Sequence, residues 1–132
     1  GVSIRSVLEG NPFKRSTPIL SFFYRTSPSA SMRMGDFVII ANSDDEARKK
    51  SHSMGAEDMA KVKSAKLVSF ELYNIKEDLG QEKNIAANYP EKLEELRKIM
   101  VELHQSSINE GPFWEFPETK SKTDKRKLKK KN

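Results

Sequence analysis

Seventeen residues, Phe70-Glu71-Leu72-Tyr73-Asn74-Ile75-Lys76-Glu77-Asp78-Leu79-Gly80-Gln81-Glu82-Lys83-Asn84-Ile85-Ala86, constrain this chain more than any other stretch. They compress a strand, a turn and the start of a helix into one run. Phe70, Leu72 and Ile75 supply an apolar edge around Tyr73, and Asp78, Gly80 and Asn84 supply turn and cap chemistry before the chain turns helical. Pro90 then suits a first helical turn, and Leu93, Leu96, Met100, Leu103 and Ser107 recur every three or four residues, with Ile99 widening the stripe. Glu91 in the first turn and the Glu94/Lys98 pair agree with a helix from residue 90 to about 107, which Gly111-Pro112 stops.

Upstream, Val2 to Gly10 is a short apolar stretch containing Leu8, and Asn11-Pro12-Phe13-Lys14-Arg15 reads as a loop. Pro18-Ile19-Leu20-Ser21-Phe22-Phe23-Tyr24 is rich in β-formers and too short for a helix, so it is expected to be a buried strand. Ser27-Pro28-Ser29-Ala30-Ser31 reads as a turn. In residues 32 to 41, Gly35-Asp36 sits between two extended segments and is suited to closing a hairpin. Asn42 to Ser53 is polar, hence a surface excursion, and Ala56 to Lys66 has helical composition, with Met59 and Val62 at helical spacing. Leu67 to Tyr73 returns to strand. Strands first and an amphipathic helix last imply an α+β fold: a small antiparallel sheet packed against a C-terminal helix.

At 132 residues, 36% of them apolar, the chain can bury one modest core. Each large side chain buried contributes roughly 1.5–3 kcal/mol against an ordering cost of similar total size, so the module is expected to be marginal alone and to favour a partner surface. The absence of cysteine excludes a disulfide scaffold, a cysteine zinc site and a cysteine nucleophile. No apolar run approaches the roughly 18–20 residues needed to span a bilayer, so no membrane partner is expected. Gly1-Val2-Ser3-Ile4-Arg5 is neither an initiator methionine nor a signal peptide, and the expectation is the later part of a longer chain. The net charge of +5 is a property of the tail: residues 117 to 132 hold eight Lys/Arg against Glu118 and Asp124, whereas the other 116 residues hold 16 basic and 17 acidic side chains. Residues 1–116 therefore read as the folded body and residues 117–132 as a basic disordered tail, with Leu128 its only large apolar residue. Such a tail solubilises, or binds a polyanion.

Four segments of the body resemble, in order, the C-terminal region of the sulfatases, in particular an arylsulfatase-like branch of the alkaline-phosphatase-like superfamily. Gly1-Val2-Ser3 with Leu8-Glu9-Gly10-Asn11-Pro12 is similar to that family's Asp-Gly-x-Ser…Leu-x-Gly stretch. Met32-Arg33-Met34-Gly35-Asp36-Phe37-Val38-Ile39-Ile40 resembles its Arg-x-Gly-Asp-Trp/Tyr-Lys-Leu-Ile hairpin, with Val38 where Lys is usual. Lys66-Leu67 with the 70–86 run resembles its Glu-Leu-Tyr-Asn/Asp-Leu…Asp-Pro-Gly-Glu…Asn-Leu-Ala segment, a marker of structure and not of chemistry, and Glu110-Gly111-Pro112-Phe113-Trp114 resembles the end of that branch. The resemblance implies a four-stranded antiparallel sheet with a C-terminal helix, packed against a separate catalytic α/β domain that hydrolyses sulfate esters with a formylglycine nucleophile and calcium. The catalytic domain, and sulfated substrate only through it, are the implied partners. Sulfatases are usually exported.

The chemistry of that family is not found in this chain. Thr26-Ser27-Pro28-Ser29-Ala30 has Thr where the converting motif needs Cys or Ser, and Ser16-Thr17-Pro18-Ile19-Leu20 lacks the small residue after Pro. Asp44-Asp45 follows an apolar run as a calcium pair would, but it sits between hairpin-like segments and reads as loop. His52 and His104 have no metal-ligand spacing, and each reads as a surface or partly packed histidine. No Gly-x-Ser-x-Gly elbow or Gly-rich phosphate loop occurs. Phe113, Trp114 and Phe116 have the chemistry to stack on bases, but residues just past a helix end usually fold back on a core, and nucleic acid is the less favoured partner. The remaining candidates are Tyr24 and Arg25, which the resemblance puts beside the substrate cleft of the parent. The reading is a C-terminal sulfatase fragment without catalytic residues, metal ligands or a cofactor of its own, calcium and formylglycine belonging to the catalytic domain. The alternative is a non-enzymatic module whose basic tail binds a polyanion, which salt dependence would reveal.

Overall fold

A computed structural model describes residues 3–13, 15–23, 29–44 and 56–115. Its elements are α1 (Arg5–Leu8), β1 (Ile19–Phe23), β2 (Ser29–Met34), β3 (Phe37–Ser43), α2 (Ala56–Ser64), β4 (Leu67–Asn74) and α3 (Pro90–Glu110). The strands form one antiparallel sheet in the order β1-β2-β3-β4, and α3 packs on one face, an α+β fold.

The β2–β3 hairpin closes through Gly35-Asp36. Gly35 has φ +63°, and a glycine at the first of two central residues matches strand twist without a Cβ penalty. Asp36 C=O accepts from Ile75 N–H at 2.8 Å, which ties this turn to the end of β4.

Strand periodicity divides the side chains into two sets. On the α3 face, Leu20, Met32, Ile39 and Leu72 form one cross-strand row, and Phe22, Ala30, Ala41 and Phe70 the next. The two alanines leave room between the flanking phenylalanines for the helix to approach. Met32, Ile39 and Leu72 are fully buried with Leu96 and Met100 of α3, while Leu93, Ile99 and Leu103 pack at the margin. The buried line of α3 runs at i, i+4 spacing from Leu96 and Met100 through His104 and Ile108, not through the exposed Ser107, and the helix ends at Glu110, three residues beyond the expected end. Its outer side carries polar pairs, with Arg97 donating to Glu94 at 2.7 Å while standing over the Phe70 ring at 5.8 Å.

Several expectations require correction. Ser29–Ser31 belong to β2, not to a turn: this central strand is paired on both sides, and tertiary pairing overrides the turn preference of serine. Asn42 and Ser43 likewise extend β3 beyond the expected start of the surface excursion. β1 is a half-exposed edge strand, with Ile19 and Phe23 44% and 54% exposed, where a buried strand was expected. The helix start expected within residues 70–86 is not there: residues 86–88 are turns, and the helix begins at Pro90, where the proline placed it. Residues 5–8 form a single helical turn with no buried side chain. Phe113 and Trp114 do not fold back on the core: Gly111 leaves α3 extended at ψ 143°, Pro112 follows, and the two rings stay 60% and 64% exposed. No helix among the described residues is long and apolar enough to cross a membrane.

Candidate functional site

The 70–86 run is a structural clip. Asn84 Oδ1 accepts from Leu72 N–H at 3.2 Å and from Ala86 N–H at 3.0 Å, and Ile85 N–H donates to Leu72 C=O at 2.8 Å. One side chain and one amide thereby occupy the outer edge of β4, which would otherwise present unpaired backbone groups. Asp78 closes the preceding loop: Oδ2 accepts from Lys83 N–H at 2.9 Å, and the amides of Lys83, Glu82 and Gln81 hold its carboxyl below the usual range. The loop turns through Gln81 at φ +54°.

The sheet face away from α3 carries three other rows: Ile19, Arg33, Val38 and Tyr73; Ser21, Ser31, Ile40 and Glu71; Phe23, Ser29, Asn42 and Ser69. No described helix covers it. Its β4 end is the more enclosed, with Val38 and Tyr73 buried. The Tyr73 hydroxyl donates to Glu71 Oε2 at 2.8 Å, and burial, then the Glu71 carboxylate, push the phenol above 10.0. Toward β1 the surface opens into a shallow hollow of about 400 Å³ among small hydroxyl side chains, bounded by Ile19 and Phe23. A second hollow, of about 230 Å³, lies between α2, β1 and the end of α3, with Lys63 on its wall.

Of the residues singled out from sequence, Tyr24, Arg25, Asp45, His52 and Phe116 lie outside the described residues, as does the tail. Asp44 serves as a backbone clamp: its N–H donates to Lys66 C=O at 3.0 Å and its Oδ1 accepts from Lys66 N–H at 3.0 Å, which fits the loop reading. His104 is buried, 4% exposed, where a surface or partly packed histidine was expected. Its ring meets Phe22 at 5.5 Å with no hydrogen bond among the described residues, and burial lowers its pKa below 6.5, keeping it neutral. No group of three or more His, Asp or Glu side chains suited to a metal gathers among the described residues. Lys63 escaped sequence reasoning because its partners, the carbonyls of Ile108 and Gly111, lie 45 and 48 residues away.

No family model matches the chain, and no curated protein matches it.

Proposed function

We propose that this chain is the C-terminal subdomain of an arylsulfatase-like sulfuric-ester hydrolase, non-catalytic by itself, whose catalytic domain belongs to the same parent chain. One observation carries the reading: residues of the two central resembling segments, 32–40 and 66–86, coincide with joints of this fold. Gly35-Asp36 closes the central hairpin, Asp36 C=O meets Ile75 N–H, and Asp78 and Asn84 clip the loop to β4. The exposed apolar side chains Ile4, Val7, Leu8, Ile19 and Phe23 fit a subdomain that meets a larger partner.

In the parent, calcium and a formylglycine nucleophile of the catalytic domain would supply the chemistry of sulfate-ester cleavage. The part of this chain is to present a preformed sheet to that domain, with Tyr24 and Arg25 toward the cleft. Reading the coding sequence upstream tests the proposal, the expected finding being an in-frame Cys/Ser-x-Pro-Ser-Arg. The joined parent should hydrolyse an aryl sulfate, lose activity on calcium chelation, and show altered kinetics as Tyr24→Ala or Arg25→Ala. Residues 1–132 alone should give no turnover with or without calcium. An upstream frame without the motif overturns the reading. A polyanion affinity falling steeply with salt would then favour the basic tail.

A further inference from the structure

We propose that the hollow between α2, β1 and the end of α3 is a binding site for a small aromatic anion, one arene ring bearing a carboxylate or sulfonate. The site is independent of the sulfatase reading, because none of its walls belongs to the open sheet face or to the 70–86 clip.

Size and lining select the ring. Met59 and Ile108 are buried at the hollow, Phe22 gives it an aromatic wall, and Trp114 stands largely exposed beside it. Benzene occupies an apolar cavity of about 150 Å³, and drug-sized ligands need about 300–1,000 Å³. At about 230 Å³ this hollow suits a single ring with one substituent.

Lys63 selects the charge. Its ammonium is half-buried on the wall and donates to the carbonyls of Ile108 and Gly111, the free acceptors at the end of α3. Those two bonds use two of its three N–H donors, and both acceptors are neutral. No carboxylate pairs with it among the described residues. A cation with a donor unspent among the described residues, fixed at the edge of an apolar hollow, is complementary to an anionic group on an apolar body. The chain's own tail is the wrong occupant, because its eight basic residues would face Lys63 with like charge.

Trp114 is the only tryptophan, so its emission reports the site. Residues 1–132 are titrated with benzoate, benzenesulfonate and neutral benzyl alcohol at constant ionic strength. The expected result is a saturable change for both anions and about tenfold weaker binding of the alcohol, as befits one charge-assisted hydrogen bond. Lys63→Met should bring the anions down to the alcohol, Lys63→Arg should preserve the preference, and Val62→Phe, which fills the hollow, should abolish binding of all three. Far-UV circular dichroism is recorded for every variant. Should Lys63→Met lose its helical signal, because Lys63 also holds the end of α3, the arginine and Val62→Phe variants decide. No saturable change in the native chain, equal affinity for benzoate and benzyl alcohol, or undiminished binding by folded Val62→Phe overturns the proposal.

Discussion

The two faces of one sheet share a backbone and differ in what their side chains meet. On the α3 face, Leu20, Met32, Ile39 and Leu72 run across all four strands, and β2, β3, β4 and α3 contribute fully buried side chains. On the other face, the row Ser21, Ser31, Ile40 and Glu71 alternates small, polar and apolar groups, with no described helix above it. The same strand geometry thus produces a core on one side and a candidate contact surface on the other. Residue parity decides which side chains meet α3, although Val38 and Tyr73 are buried on the other face as well.

The comparison breaks most readily at Leu72. Leu72→Ala should cost about 2–5 kcal/mol by opening a cavity beneath Leu96 and Met100, whereas Ser31→Ala on the open face should stay within about 0.5 kcal/mol. Urea denaturation of both variants checks this, and equal effects would erase the distinction between the faces. Asn84→Ala should cost about 1–3 kcal/mol, since the buried Leu72 N–H loses its acceptor. Loss of amide-exchange protection at Leu72 and Ala86, with residues 37–41 less affected, would localise the damage to the β4 edge.

A smaller effect is set by pH. The imidazole of His104 is neutral when folded and has an ordinary value of 6.5, so its contribution is fully present above that value. As pH falls through about 6.5 toward the lowered folded value, the unfolded chain binds a proton that the folded chain refuses, and stability declines. His104→Leu should flatten the urea midpoint in that window while leaving the acid limb of Asp78 and Glu94, whose pKa values are lowered. The smallest expected change is spectroscopic. Glu71→Gln should bring the Tyr73 phenol partway back toward 10.0, the burial contribution remaining, as followed by ultraviolet titration.

The parts legible in the sequence are those whose signal is local. Leu93, Leu96 and Met100 announce α3 by spacing, Leu67 to Tyr73 announce β4 by composition, and Gly35-Asp36 announces its turn by the positive φ that glycine accepts. What escaped depends on partners distant in the chain. Ser29–Ser31 become strand because β1 and β3 flank them, and His104 is buried because Phe22 comes to meet it. Lys63 is indistinguishable from any helical lysine until the end of α3 is laid against it. Of the candidate site, the turn and cap roles of Asp78 and Asn84 were readable, but the second hollow was not, because its walls come from three separate elements.

The meander order also governs how the chain reaches its native state. β2 and β3 are joined by two residues, whereas β3 and β4 are separated by the 23 residues from Asp44 to Lys66. Closing the longer loop costs more chain entropy before any pairing offsets it. The hairpin at Gly35 is therefore the natural nucleus, and β4 with α3 should join later. Gly35→Ala, strained at φ +63°, should then slow refolding, while a destabilising change in α2 such as Met59→Ala should mainly hasten unfolding. The first of these lengthens the time that the sheet spends unpaired and prone to aggregate.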